Sequence, residues 1–174
     1  MARTKILLEG RPGSGKTTVA RKIAGLLQDA GISLCGFLTD ELRRRGERIG
    51  FAVETFGGDR ATLAHVDLPG PPRVSRYGVD LGAFEALALP ELAAADAGSV
   101  LLVDEIGKME LASDAFRARI AELFERRLRI VATIQVARDP LTDRLKRRRD
   151  VDVIRVTARE RDALPKIVAG RFRQ

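Results

Sequence analysis

One stretch of eight residues constrains this chain more than all the others. Gly10-Arg11-Pro12-Gly13-Ser14-Gly15-Lys16-Thr17 fits the pattern G-x-x-x-x-G-K-[ST]. An apolar run, Lys5-Ile6-Leu7-Leu8, precedes it and reads as a buried strand. From Thr17 to Ala30 the apolar residues Val19, Ile23, Leu26, Leu27 and Ala30 fall on one helical face, and Gly31 closes the helix. Glycines between a strand and a helix let successive backbone N–H groups converge on one point. The start of the helix adds its partial positive charge there. Such a loop suits a chain of phosphates, with Lys16 reaching the β- and γ-phosphates and the Thr17 hydroxyl a ligand for Mg²⁺.

The rest of the chain alternates between short β-like and helical stretches. Ser33 to Thr39 and Arg48 to Phe56 read as strands joined through Arg43-Arg44-Arg45-Gly46-Glu47, a hairpin that Ala61 to Asp67 extends. Asp80 to about Ala95 reads as a helix that Pro90 breaks or restarts. Ser99 to Asp104 is the most strand-like run of all, followed by a helix carrying Phe116, Ile120, Leu123 and Phe124. Strands at Arg129–Val136 and Val151–Val156 flank a short helix at Leu141–Arg147, and a helix at Asp162–Phe172 ends the chain. Continuous apolar strands between helices predict an α/β fold of three layers, α/β/α, with a mostly parallel sheet and an antiparallel hairpin insertion. The 174 residues suit one domain over 1–174.

Val100 to Val103 run straight into Asp104-Glu105, a Walker B arrangement in which a buried strand delivers an acid to the edge of the sheet where the phosphate loop lies. Asp104 is expected to hold Mg²⁺ alongside Thr17, and Glu105 to orient and deprotonate an attacking water. A carboxylate directly after the Mg²⁺ aspartate, with at least one strand-helix unit between the motifs, separates the chain from small GTPases and nucleotide kinases. It points to the RecA-like branch of P-loop ATPases with a catalytic glutamate. In that branch the strand Val131-Ala132-Thr133-Ile134-Gln135 is inserted between the other two, and Thr133 or Gln135 senses the γ-phosphate or holds the water.

Gly10–Thr17, Gly36-Phe37-Leu38-Thr39, Arg48-Ile49-Gly50-Phe51, Arg76-Tyr77-Gly78-Val79-Asp80 and Asp104-Glu105-Ile106-Gly107-Lys108-Met109-Glu110 together resemble the cancer-related nucleoside-triphosphatase family. The resemblance covers nearly the whole chain, through Arg161-Asp162 and Leu164. It implies slow, Mg²⁺-dependent hydrolysis of ATP, GTP, CTP and UTP to the diphosphate and phosphate, with broad base tolerance. Two segments are then expected to bind the nucleotide. They are Gly10, Arg11, Pro12, Gly13, Ser14, Gly15, Lys16, Thr17 and Thr18, and Leu101, Leu102, Val103, Asp104, Glu105, Ile106, Gly107 and Lys108. Ser75 stands where the family pattern leads one to expect glycine, which puts the backbone of that loop in question.

A net charge of +7, carried mostly by arginine, favours anionic partners, nucleic acid among them, although one Tyr and no Trp offer little for base stacking. Phosphoryl transfer gains from a cation near the developing charge. Only loops that follow parallel strands reach the nucleotide edge, which selects Arg138 as the catalytic arginine over the run Arg147-Arg148-Arg149, expected at the opposite edge. Arg43-Arg44-Arg45 is a candidate lid, Arg76 and Arg161 lie in family-like motifs, and Asp40 and Glu41 are candidates to assist the metal from behind. His65 and the single Cys35 read as structural. No apolar run approaches the ~20 residues of a membrane span, and Met1-Ala2-Arg3-Thr4-Lys5 opens no signal peptide. A cytoplasmic monomer with no membrane contact is expected. Competing functions are a nucleoside or small-molecule kinase using the same cradle and a nucleic-acid-stimulated ATPase.

Overall fold

A computed structural model describes residues 4–173. Of the stretch 1–174 expected as one domain, residues 1–3 and 174, with most of the N-terminal segment bearing on a signal peptide, lie outside the described residues. Nine strands form one sheet: β1 (Lys5–Glu9), β2 (Leu34–Arg44), β3 (Glu47–Thr55), β4 (Arg60–His65), β5 (Arg73–Val74), β6 (Tyr77–Val79), β7 (Val100–Ile106), β8 (Arg129–Ile134) and β9 (Val151–Arg155). Their order is β5-β6-β4-β3-β2-β7-β8-β1-β9. The stretch from β2 to β9 is parallel, and β3, β4, β6 and β5 form an antiparallel wing. The β8 strand lies between β7 and β1, the insertion expected from the sequence.

Alternation along β1 fixes the layers. Ile6 and Leu8 point to one face, where they meet Val19, Ile23 and Leu27 of α1 (Lys16–Asp29) and Val168 of α5 (Leu164–Gly170). Leu7 points to the other face, covered by α2 (Leu81–Ala93), α3 (Asp114–Glu125) and α4 (Pro140–Lys146). There Phe37, Phe84 and Phe116 are fully buried, with ring centroids 5.2 to 6.2 Å apart.

Two expectations change. The α2 helix runs through Pro90 unbroken. Proline removes one N–H, which frees the carbonyl of Ala86, and both residues lie on the exposed face of the helix, so the freed carbonyl is not sealed in the core. Phe84, Ala88 and Leu92, spaced by four on the opposite face, hold the helix to the core. The antiparallel region is also larger than a hairpin, because β5 and β6 add a second one. Ser75 turns between them at φ 56°, in the left-handed region that glycine enters more easily, so the serine departs from a real conformational demand.

Candidate functional site

The phosphate loop and the two acids of β7 meet at the C-terminal edge of the parallel strands. After β1 the chain turns through the loop and enters α1 at Lys16, with Gly15 at φ 99° as its N-cap and no side-chain hydrogen bond capping the first turn. The first amides of α1 therefore remain available to an anion. The Ser14 hydroxyl is buried in this loop without a hydrogen-bond partner, the kind of orphaned polar atom that a phosphate oxygen satisfies. Lys16 is nearly buried. Its Nζ donates to the carbonyls of Gly10 at 2.5 Å and Arg11 at 3.3 Å and lies 3.3 Å from Glu105 Oε2.

Asp104 lies at the centre. Register explains how its partners reach it: Val103 pairs with Ala132 on β8 and with Phe37 on β2, so Thr133 stands level with Asp104 and Thr39 one step beyond. Asp104 is 0% exposed. Its Oδ1 accepts from the hydroxyls of Thr17 at 3.1 Å and Thr133 at 2.7 Å. Its Oδ2 accepts from Thr39 twice, the hydroxyl at 2.9 Å and the amide at 3.2 Å. A hydroxyl facing a carboxylate is a hard-oxygen donor pair of the kind Mg²⁺ takes, so these residues fit that cation. Among the described residues no group of three or more His, Cys, Asp or Glu forms a metal cage. A cation here would draw its remaining ligands from phosphate and water, as Mg²⁺ commonly does.

Glu105 is half-buried and rests on Gly107, where a Cβ would stand 2.6 Å from its Oε1. Burial raises its pKa, opposed by the Lys16 ammonium and reinforced by Asp104. Behind it lies Glu110, 4% exposed, on the 3₁₀ turn Glu110–Ala112. Burial, with the charge of Glu105 second, pushes the Glu110 carboxyl well above the ordinary carboxylate range, while the amides of Glu110 itself and Gly107 pull the other way. Neither Thr39 nor Glu110 was given a role from sequence. A hydroxyl ending a family-like motif at a strand end was the available signal for the first. The five-residue spacing after Glu105 is the signal for the second.

The remaining assignments divide. Leu101, Val103 and Ile106 are sealed in the core on one face of the sheet and Leu102 on the other, so they place the acids rather than touch a ligand. Lys108, Arg11, Pro12, Gly13 and Thr18 are exposed. Thr133 holds Asp104, whereas the Gln135 side chain turns back to the carbonyl of Ala137. Arg138 follows β8 as expected, but its side chain is 88% exposed and pairs with Asp143 at 3.1 Å. Asp40 pairs with Arg21 and Arg60, and Glu41 with Arg43 and Arg48, so arginines occupy both acids. Arg43-Arg44-Arg45 lies at the β2–β3 tip with Arg43 held by Glu41 and Gly46. Arg76 pairs with Glu47. Arg148 pairs with Glu125 and with Asp150, the latter sharing Lys5 at the start of β1, on the opposite edge. His65 accepts the amide of Asp67. Arg161, in the loop after β9, lies against Gly15.

The chain is similar to known proteins over most of its length. The model of a family described as NTPase matches residues 5–169. The nucleoside-triphosphatase THEP1 of Thermotoga sp. (strain RQ2) is 42% identical over 161 residues, 92% of this chain and 90% of that one. The cancer-related nucleoside-triphosphatase of Homo sapiens is 42% identical over 178 residues, 94% of each. The crystal structure of THEP1 from the hyperthermophile Aquifex aeolicus superposes with a TM-score of 0.85 at 33% identity, covering 94% of this chain and 96% of that one. No helix among the described residues is long and apolar enough to cross a membrane.

Proposed function

Since the chain belongs to the NTPase family and is a nucleoside-triphosphatase, we propose that it hydrolyses ATP, GTP, CTP and UTP to the diphosphate and phosphate with Mg²⁺. We assign it the role of a single-domain cytoplasmic monomer. The observation that carries the reading is the meeting of Thr17, Thr39 and Thr133 on buried Asp104 beside the Lys16–Glu105 pair. The loop amides and the Lys16 ammonium bind the β- and γ-phosphates, and Lys16 exchanges its carbonyl contacts for phosphate oxygens. Thr17 and Asp104 would hold Mg²⁺, which when bound would neutralise charge on the phosphate oxygens. Glu105 orients a water and takes its proton as the water oxygen bonds to the γ-phosphorus, while the bond from that phosphorus to the β–γ bridging oxygen breaks. The pairing of Arg138 with Asp143 leaves a catalytic role for that arginine without support, and the ion pairs around Arg43 and Arg48 leave nucleic acid outside this reading.

Phosphate release across the four NTPs and their diphosphates, with and without Mg²⁺, tests the proposal. Lys16→Ala is expected to abolish release. Glu105→Gln is expected to keep nucleotide bound and to lower turnover by roughly 10²–10³-fold, the scale of losing a proton acceptor and water-orienting group. Full activity in Glu105→Gln, or preferential phosphorylation of an added alcohol over release of phosphate, overturns it.

A further inference from the structure

The acids at the end of β7 stand on one side of the phosphate loop, because β8 separates β7 from β1. On the other side of β1 lies β9, parallel to it, with Leu8 opposite Ile154 and Glu9 opposite Arg155. The chain then turns through residues 157–163 before α5. The Thr157 hydroxyl accepts the amide of Glu160 at 3.3 Å, and the Thr157 carbonyl accepts the amide of Arg161 at 3.0 Å. This turn lays the Arg161 side chain across the start of α1. Its Cδ and Nη1 lie 3.2 and 3.7 Å from the point where a Cβ on Gly15 would stand. Arg161 is exposed, and among the described residues it makes no ion pair, unlike Arg138, Arg148 and Arg171.

A triphosphate has a direction. With its γ end at Lys16 and Glu105, on the β7 side, its other end leaves the loop on the β9 side, beside Arg161. We propose that Arg161 is the nucleoside platform of this site, its guanidinium plane stacking on the base. The inference rests on the triphosphate reading given above and adds the part of the ligand that the loop and the acids do not touch. A delocalised planar cation stacks on any nucleobase, since every base has a π-face, and reads none of the base-edge hydrogen bonds that distinguish them. Broad base tolerance follows from such a contact. The φ of 99° at Gly15 is one that L side chains rarely adopt, and a Cβ there would crowd the Arg161 side chain.

Calorimetric binding to the full chain tests this without turnover, using the non-hydrolysable imido analogues of ATP and CTP and, separately, inorganic tripolyphosphate. Arg161→Ala and Arg161→Lys are expected to weaken both nucleotides by about ten-fold, the scale of a desolvated cation–π contact. Tripolyphosphate, which has no base, should bind each variant within about two-fold of the parent protein on the same free-energy scale. In steady state the loss should fall on KM for the NTPs and not on kcat. An equal loss with tripolyphosphate, full rescue by lysine, or unchanged nucleotide binding in a variant of unaltered melting temperature each overturns the assignment. The first two outcomes mark a phosphate contact instead. A parent protein that binds both analogues but releases no phosphate would remove the hydrolytic reading and leave this one standing.

Discussion

Two buried carboxylates, one on β7 and one on the 3₁₀ turn that follows it, carry opposite burdens. Asp104 is fully buried yet has four hydrogen bonds to its oxygens, whereas Glu110 is buried among acids with only backbone amides to face it. A carboxyl whose pKa is raised on folding keeps its proton in the native state where the unfolded chain has lost it, so stability falls as pH rises from about the ordinary value of 4.5 toward the folded value. Glu110→Gln removes that dependence. Between pH 5 and pH 8 the parent protein should lose stability relative to the variant, since the raised carboxyl must stay protonated or ionise in a buried site. Melting temperatures of both proteins across that range check it, and a gap that does not change with pH refutes it. Composition offers no view of this residue, because a glutamate in sequence is a surface residue until its neighbours are known.

At the level of elements, β2 does two jobs. Its first half lies in the parallel core against β7, and its second half forms the antiparallel hairpin with β3. Gly36 makes the first possible: at φ 105° a Cβ there would lie 2.0 Å from the carbonyl oxygen of Leu102. Gly36→Ala must therefore push β2 off β7 and carry Thr39 away from Asp104. A cost of about 3–5 kcal/mol is expected, as for other severe backbone clashes, read as a fall in the urea midpoint with a parallel loss of activity. A variant within 1 kcal/mol of the parent would show the strand pair to be more yielding than its geometry. Periodicity revealed the long strands and the order strand, loop, helix around Lys16. It did not reveal β5 and β6, which are two and three residues long, too short for alternation to register. Nor could it show that Pro90 is harmless, since that depends on which side of α2 faces water.

Across the whole molecule, chemistry and stability are separated by the length of the strands. At the N-terminal edge Asp150 accepts from Arg148 and Lys5, and Arg148 is the main reason that its pKa is lowered to about 2. A depressed acid stabilises the fold above its ordinary value of 3.8, and that contribution disappears as pH falls through about 2. Because Asp150 is 47% exposed, solvent screening reduces it to about 1 kcal/mol. Asp150→Asn is thus expected to melt lower at pH 7, to match the parent near pH 2, and to leave KM and kcat for the NTPs alone. A change in KM would mean that the two edges are coupled. The sequence made the edge of the phosphate loop legible, and with it Lys16, Asp104 and Glu105, because each sits at a strand end marked by an apolar run. Contacts such as Arg161 on Gly15 or Thr39 on Asp104 join residues far apart in the chain, and only strand order and register bring them together.

That last contact has a kinetic meaning. The three threonines that grip Asp104 come from 87, 65 and 29 residues away. Each must wait for its own long loop to close, and closures of that span are the slow events of folding. Recovery of hydrolysis after dilution from denaturant should therefore trail the return of helical signal and coincide with the last docking event. A half-assembled chain has its secondary structure in place and is still silent.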